Sequence, residues 1–136
     1  ISEIKDFVFR NKIDIQMSFT SILPKEKFDI IYLGSSLQYF ENYKNFLDYL
    51  CEHSNNIIMD DIPVSNKKTF ANIQVNLKPL KLPAWVFSEE ELIDYFKKKK
   101  WKISFFYRNS RNSIHKNSPR GMKRSGISIH LEKEIK

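Results

Sequence analysis

The residues able to do chemistry gather at two places in the chain. Gly34-Ser35-Ser36 closes one apolar run, and Asp60-Asp61 closes another. A glycine lets backbone approach a ligand closely, and the two serines offer hydroxyls and amides. A pair of carboxylates could orient or deprotonate a hydroxyl. Each place also has a plainer explanation. The first could be an N-cap and turn ahead of a helix near Tyr43. The second could be a helix cap or a solvated turn. Neighbouring strand side chains point to opposite faces, so the two carboxylates need not share a pocket. His53, His115 and His130 have no metal-ligand spacing, and no metal is expected. Cys51 is the only cysteine. It falls on the apolar face of a predicted helix and reads as a small buried packing residue. No Ser-His-Asp arrangement can be argued from sequence alone.

Elements must position these residues. The run at 28–33 is near-continuously apolar and ends in the glycine turn. It reads as a strand buried on both faces, as in a parallel sheet with helices on both sides. Ligands of such sheets bind just beyond the carboxyl ends of the strands, where Gly34 to Tyr39 lie. Tyr43, Phe46, Leu47, Leu50 and Cys51 then mark one helix face, broken at Asn55-Asn56. Ile57-Ile58-Met59 reads as a short buried strand, completing a parallel crossover unit. Upstream, Ile4, Phe7 and Val8 have helical spacing over 1–12. Ile13, Ile15, Met17 and Phe19 alternate with polar residues, as in an edge strand with one wetter face.

Residues 64–87 are the least regular. Thr69 to Leu77 could form a short strand or an arm, and Pro79 and Pro83 argue against a long element. A segment this long between core elements often carries function. The next helix is sharply marked. Ser88 and Glu91 have the capping-box spacing, and Phe87 and Leu92 are placed as a hydrophobic staple. Glu89 to Glu91 suit the positive end of its dipole, and Lys97 to Lys100 the negative end. Two alternating runs, 101–107 and 126–131, predict an antiparallel pair closing one end of the sheet. The loop expected between them, 108–125, carries Arg108, Arg111, His115, Lys116, Arg120, Lys123 and Arg124 with no acid. It has little to bury and is expected to be mobile without an anionic partner.

The 136 residues suit one domain. The 41% hydrophobic content permits a packed core. No apolar run approaches the ~20 residues needed to cross a bilayer, and no signal peptide is visible. A lone thiol fits a reducing cytoplasm, so a cytoplasmic location is expected. The net charge of +7 permits nucleic acid, phosphorylated carriers or anionic lipid headgroups at a membrane periphery.

The order of elements resembles the second half of a class I S-adenosylmethionine-dependent methyltransferase. The segment FDIIYLGSSLQYF resembles more closely the strand-and-turn signature, ending S-S-L-Q-Y, of a methyltransferase family found in surface-polysaccharide and lipopolysaccharide gene clusters. FANIQVNLKPLKLPAWVFSEEEL and IIMDDIP are similar to further stretches of that family, and together the matches span roughly 13–107. The resemblance implies an α/β, Rossmann-like sheet, mostly parallel, with a terminal antiparallel hairpin. It implies S-adenosylmethionine as cofactor and a small-molecule or saccharide acceptor. By the same resemblance, Gly34, Ser35, Ser36 and Leu37 lie beside the methionine part of the cofactor. Phe19 lies near its adenine, although an ordinary core Phe is the favoured reading of that residue. Gln38 and Tyr39 face the acceptor, and Gln74 and Trp85 cap its pocket, unless Trp85 simply packs. Asp60 or Asp61 serves as the base.

Class I enzymes also use a glycine-rich turn after the first strand and an acidic residue ending the second. This sequence has only Gly34, Gly121 and Gly126, none in a G-x-G turn. The first strands are therefore expected in a segment preceding Ile1, with residues 1–136 a single partial domain. Binding of the cofactor by this chain alone is expected to be weak. Two rival functions remain: a basic nucleic-acid-binding module built on 108–124 with Tyr107, and a non-catalytic interaction remnant. No recognised binding motif accompanies the charge, which argues against nucleic acid.

Overall fold

The computed structural model describes residues 18–74, 81–110 and 119–134. In chain order its elements are β1 (Ile31–Gly34), a 3-10 turn η1 (Leu37–Tyr39), α1 (Tyr43–His53), β2 (Asn56–Ser65), β3 (Phe70–Gln74), β4 (Leu82–Ser88), α2 (Glu89–Lys98), β5 (Trp101–Ser110) and β6 (Arg124–Lys133). The predicted helix at 1–12 and residues 13–17 of the predicted edge strand lie outside the described residues. Residues 18–20 belong to no strand.

The strands form one sheet in the order β3-β4-β2-β6-β5, with β1 also on β2. The expected crossover β1-α1-β2 is present, and its strands run parallel from Ile31↔Ile57 to Gly34↔Asp60. The hairpin also forms, with β5 and β6 antiparallel from Trp101↔Lys133 to Ser110↔Ser125. The sheet as a whole is not mostly parallel, however. It is mixed, and its long ladders β2–β6, β5–β6 and β3–β4 are antiparallel. The parallel pairing of β4 with β2 is confined to Val64↔Phe87 and Ser65↔Ser88.

The difference has two local causes. First, β2 does not stop at the aspartates. It bulges between Met59 and Ile62 and continues to Ser65. A bulge absorbs an extra residue without ending the ladder. Second, the segment expected to be irregular contains β3 and β4. Pro83 sits inside β4, opposite Ile73, where β4 has no partner on its β2 side. A strand tolerates proline at such an edge position.

Both helices pack on one face of the sheet. Phe46, Leu47, Leu50 and Cys51 of α1 join Leu92 and Phe96 of α2 in a core with Leu33, Ile57, Met59, Ile129 and Leu131. Residues one step out of phase, among them Tyr32, Phe105 and Tyr107, point to the other face and stay exposed. β1 is therefore not buried on both faces, and Tyr32 is 61% exposed. Along β5, Trp101 is buried, but Phe105, Phe106 and Tyr107 are all exposed. β5 is an edge strand, and a register shift between Ile103 and Phe105 interrupts its alternation.

The helix starts follow the sequence closely. Asn42 caps α1, its side chain accepting from the Asn45 amide. Ser88 caps α2, its hydroxyl accepting from the Glu91 amide at 3.3 Å. Glu91 does not return the bond to Ser88. Its carboxylate accepts from the Thr69 hydroxyl at 2.7 Å, and that hydroxyl accepts from the Ser88 amide at 2.9 Å. The cap is thus completed through a third residue just before β3.

The expected basic loop is shorter than 108–125, because Arg108 lies in β5 and Arg124 in β6. Arg108 pairs with Glu89 and lies over the Phe106 ring. Residues 111–118 lie outside the described residues. No helix of the described residues is long and apolar enough to cross a membrane.

Candidate functional site

β1 runs out at Gly34, and the chain turns at Ser35. The Ser35 amide still donates to the Asp60 carbonyl at 2.9 Å, carrying the parallel ladder one bond past the strand. Ser35 has φ +49, and Asp61, at the bulge of β2, has φ +55. Side chains that would alternate across a regular strand meet here, because the bulge re-aims one of them. The Ser35 hydroxyl donates to Asp61 Oδ2 at 3.0 Å. Asp60 accepts from the Tyr32 hydroxyl at its Oδ2, 3.3 Å away, and from the Ser128 hydroxyl at its Oδ1. Ser128 also accepts from the Asp61 amide at 3.4 Å. The structure therefore brings Ser35, Asp60 and Asp61 together, and adds Tyr32 and Ser128.

The glycine serves a neighbour. A Cβ on Gly34 would lie 3.0 Å from Tyr32 Cε1 and 3.1 Å from the Tyr32 hydroxyl oxygen. The Tyr32 ring fills the space that the missing side chain leaves. Partial dehydration, followed by the charge and hydrogen bond of Asp60, holds the Tyr32 phenol above its ordinary value.

The next residues form η1, capped at Ser36 without a side-chain bond. Leu37 is wholly buried in the core. Gln38 is 4% exposed, and its Nε2 donates to the Ser35 carbonyl at 2.8 Å. Its Oε1 is buried without a partner among the described residues. A buried acceptor left unmet is costly and calls for an explanation. Tyr39 donates from its hydroxyl to Gln74 Oε1 at 3.2 Å. The Trp85 indole N–H donates to the Phe40 carbonyl at 3.0 Å, and its ring meets Tyr43 edge-on. These bonds stitch η1 to the β3–β4 hairpin, so Tyr39, Gln74 and Trp85 do form one neighbourhood. Phe19 is half-buried in the segment before β1.

Two cavities among the described residues lie elsewhere. One of about 770 Å³ is lined by Ser65, Ser88, Glu89, Arg108 and Lys123 at the start of α2. One of about 360 Å³ lies between the helices, against Tyr43, Leu47 and Tyr95. Gly34, Ser35 and Asp60 line neither; Gly34 and Ser35 are exposed at the end of β1, and Asp60 is half-buried. Among the described residues no group of three His, Cys, Asp or Glu side chains is placed to hold a metal. His53 instead contacts the Tyr49 carbonyl, and His130 the Ser104 hydroxyl.

Sequence reasoning missed Tyr32 and Ser128. Tyr32 carried a faint signal, a hydroxyl-tipped ring inside an apolar run and two residues before a glycine. Ser128 carried none, because only the β2–β6 register places it beside the aspartates.

No protein-family model matches the chain, and no curated protein matches its sequence. Its structure is similar to that of an S-adenosylmethionine-dependent methyltransferase from Clostridium acetobutylicum ATCC 824, with a TM-score of 0.57 and 13% identity. The match covers 98% of this chain and 71% of that one. At that identity the likeness speaks for architecture, and the chain has an α/β, methyltransferase-like fold.

Proposed function

We propose that the chain belongs to an S-adenosylmethionine-dependent methyltransferase and acts on a hydroxyl of a saccharide or related acceptor. One observation carries the proposal. Asp60 and Asp61 are gathered with Ser35 at the carboxyl end of a parallel strand, where open α/β sheets place their ligands.

The donor set fits one part of the cofactor. Asp61, and the Gln38 Oε1 that has no partner among the described residues, are acceptors suited to the cationic methionine end, which leaves Asp60 for the acceptor's proton. For the ribose and adenine the sequence offers no G-x-G turn. When bound, the cofactor supplies a methyl group on a sulfonium, which already has a good leaving group. The chain's own residues would hold the acceptor in line and take its proton. Tyr39, Gln74 and Trp85 would form the acceptor wall, and an aspartate would be the base. The saccharide class draws on the sequence resemblance and on those aromatic rings.

Calorimetry with S-adenosylmethionine on this chain, and on an extended protein if the gene encodes residues before Ile1, tests the proposal. The extended protein should bind at micromolar concentrations and this chain far more weakly, since each unmet polar group costs ~1–3 kcal/mol. Tight binding by this chain alone would show that the pocket is elsewhere. No binding by the extended protein would refute methyl transfer.

A further inference from the structure

We infer that Tyr32 is a catalytic residue of this site, passing the acceptor's proton to Asp60. The inference rests on the methyl-transfer proposal and names a group which that proposal left out.

The geometry is specific. Asp60 is held from several sides. Ser128 occupies its Oδ1, the Ser35 amide holds its carbonyl, and the Tyr32 hydroxyl meets its Oδ2. Asp61 is tied instead to Ser35. Tyr32 is 61% exposed, whereas Asp60 is half-buried behind it. Tyr32 therefore presents more surface to an acceptor at the end of β1 than Asp60 does. The phenol proton already points to Asp60, so a lone pair of that oxygen faces outward. Gly34 makes the arrangement possible by leaving room for the ring.

The step balances. The acceptor O–H bond breaks and its proton goes to the Tyr32 oxygen. The original Tyr32 proton moves to Asp60 Oδ2. The acceptor oxygen forms a bond to the methyl carbon, and the electron pair of the broken carbon–sulfur bond stays on sulfur. One proton remains on Asp60 and later leaves to water. Tyr32 stays a neutral phenol before and after, which suits a group that ionises above its usual range. Ser128 is a positioning residue, acting through Asp60.

Ring-carbon-labelled tyrosine resolves the 6 tyrosines by NMR, with Tyr32→Phe assigning the signal of interest. In a titration, Tyr32 should ionise above about 10, the ordinary value. Asp60→Asn should lower it part of the way towards the ordinary value, because the dehydration of the ring remains. Ser128→Ala, which leaves the Tyr32–Asp60 pair in place, should keep it raised. An Asp60→Asn protein that is folded by circular dichroism, yet shows an unshifted Tyr32, overturns the proposal.

The second arm measures S-adenosylhomocysteine release by the extended protein with a panel of para-nitrophenyl glycosides. Tyr32→Phe should lower kcat at least tenfold and leave KM within twofold. Turnover by Tyr32→Phe at the parental rate refutes the relay and leaves methyl transfer standing. No turnover by the parent with any glycoside refutes the relay and the saccharide reading together, while cofactor binding still judges methyl transfer itself.

Discussion

The Ser35 hydroxyl donates to Asp61 Oδ2 at 3.0 Å, and both residues hold left-handed backbone, with φ of +49 and +55. Left-handed backbone costs an L-residue with a side chain roughly 1–2 kcal/mol. A hydrogen bond contributes about 0.5–1.5 kcal/mol. Ser35→Gly removes both, so stability should change by less than about 1 kcal/mol. Ser35→Ala removes only the bond and should be the less stable of the two. Urea denaturation of the two variants measures the order, and the reverse order would show that Ser35 is not strained.

A methyl group on residue 34 should act at a distance from its own backbone. Gly34 does not need positive φ, so alanine fits the chain path. Its Cβ would crowd the Tyr32 ring at 3.0 Å, and the ring must give way slightly, lengthening its already long bond to Asp60. Gly34→Ala should therefore lower the Tyr32 ionisation with little loss of melting temperature. An unchanged Tyr32 titration would mean that the ring does not lie where the structure places it.

The cap of α2 should behave as a three-residue unit. Ser88→Ala removes the acceptor for the Glu91 amide and should cost about 1 kcal/mol. Thr69→Val removes the hydroxyl that joins Ser88 to Glu91 and should cost a similar amount, about 1 kcal/mol. Because the bonds share partners, the double variant should lose less than the sum of the singles. Strict additivity in a double-mutant cycle would show that Thr69 and Ser88 act independently.

α1 and α2 are joined by Asp48, which accepts from the Tyr95 hydroxyl at 2.6 Å and pairs with Lys99 at 2.7 Å. The Lys99 and Tyr95 hydrogen bonds hold the Asp48 carboxyl below its ordinary value. Its stabilisation is therefore full above the unfolded value near 3.9 and fades as pH falls through the lower, folded value. Burial, then the Asp48 bond, pushes the Tyr95 phenol up. The Asp48 bond also raises Lys99. Their contributions are full below about pH 10 and fade as pH rises through the raised values. Melting temperature should fall at both ends of the pH range, and Asp48→Asn should flatten both limbs. A variant with the parental pH profile would remove the clamp from the account.

Cys51 should be chemically quiet while the protein is folded. It is 7% exposed, and burial pushes its thiol up to about 11. The thiolate is the reactive form, so it is scarce at pH 8. Reaction with an aromatic disulfide reagent at that pH should be slow and should accelerate in denaturant. Labelling as fast in buffer as in urea would show that α1 opens readily.

What the sequence determined alone is what neighbours along the chain decide. The Ser88 cap, the apolar face of α1 and the crossover from β1 to β2 all follow from spacing within about one element. The glycine turn and the two aspartates stood out because such residues end apolar runs and mark turns. Tertiary structure decided how far the strands run, which faces are covered, and who meets the carboxylates. β2 passes through Asp60 and Asp61 because β6 pairs along it beyond the bulge, in contacts between residues far apart in the chain. Tyr32 is exposed because α1 and α2 occupy the same side of the sheet. Ser128 reaches Asp60 from 68 residues away, a distance at which residue type and spacing carry no signal until the strands find their register.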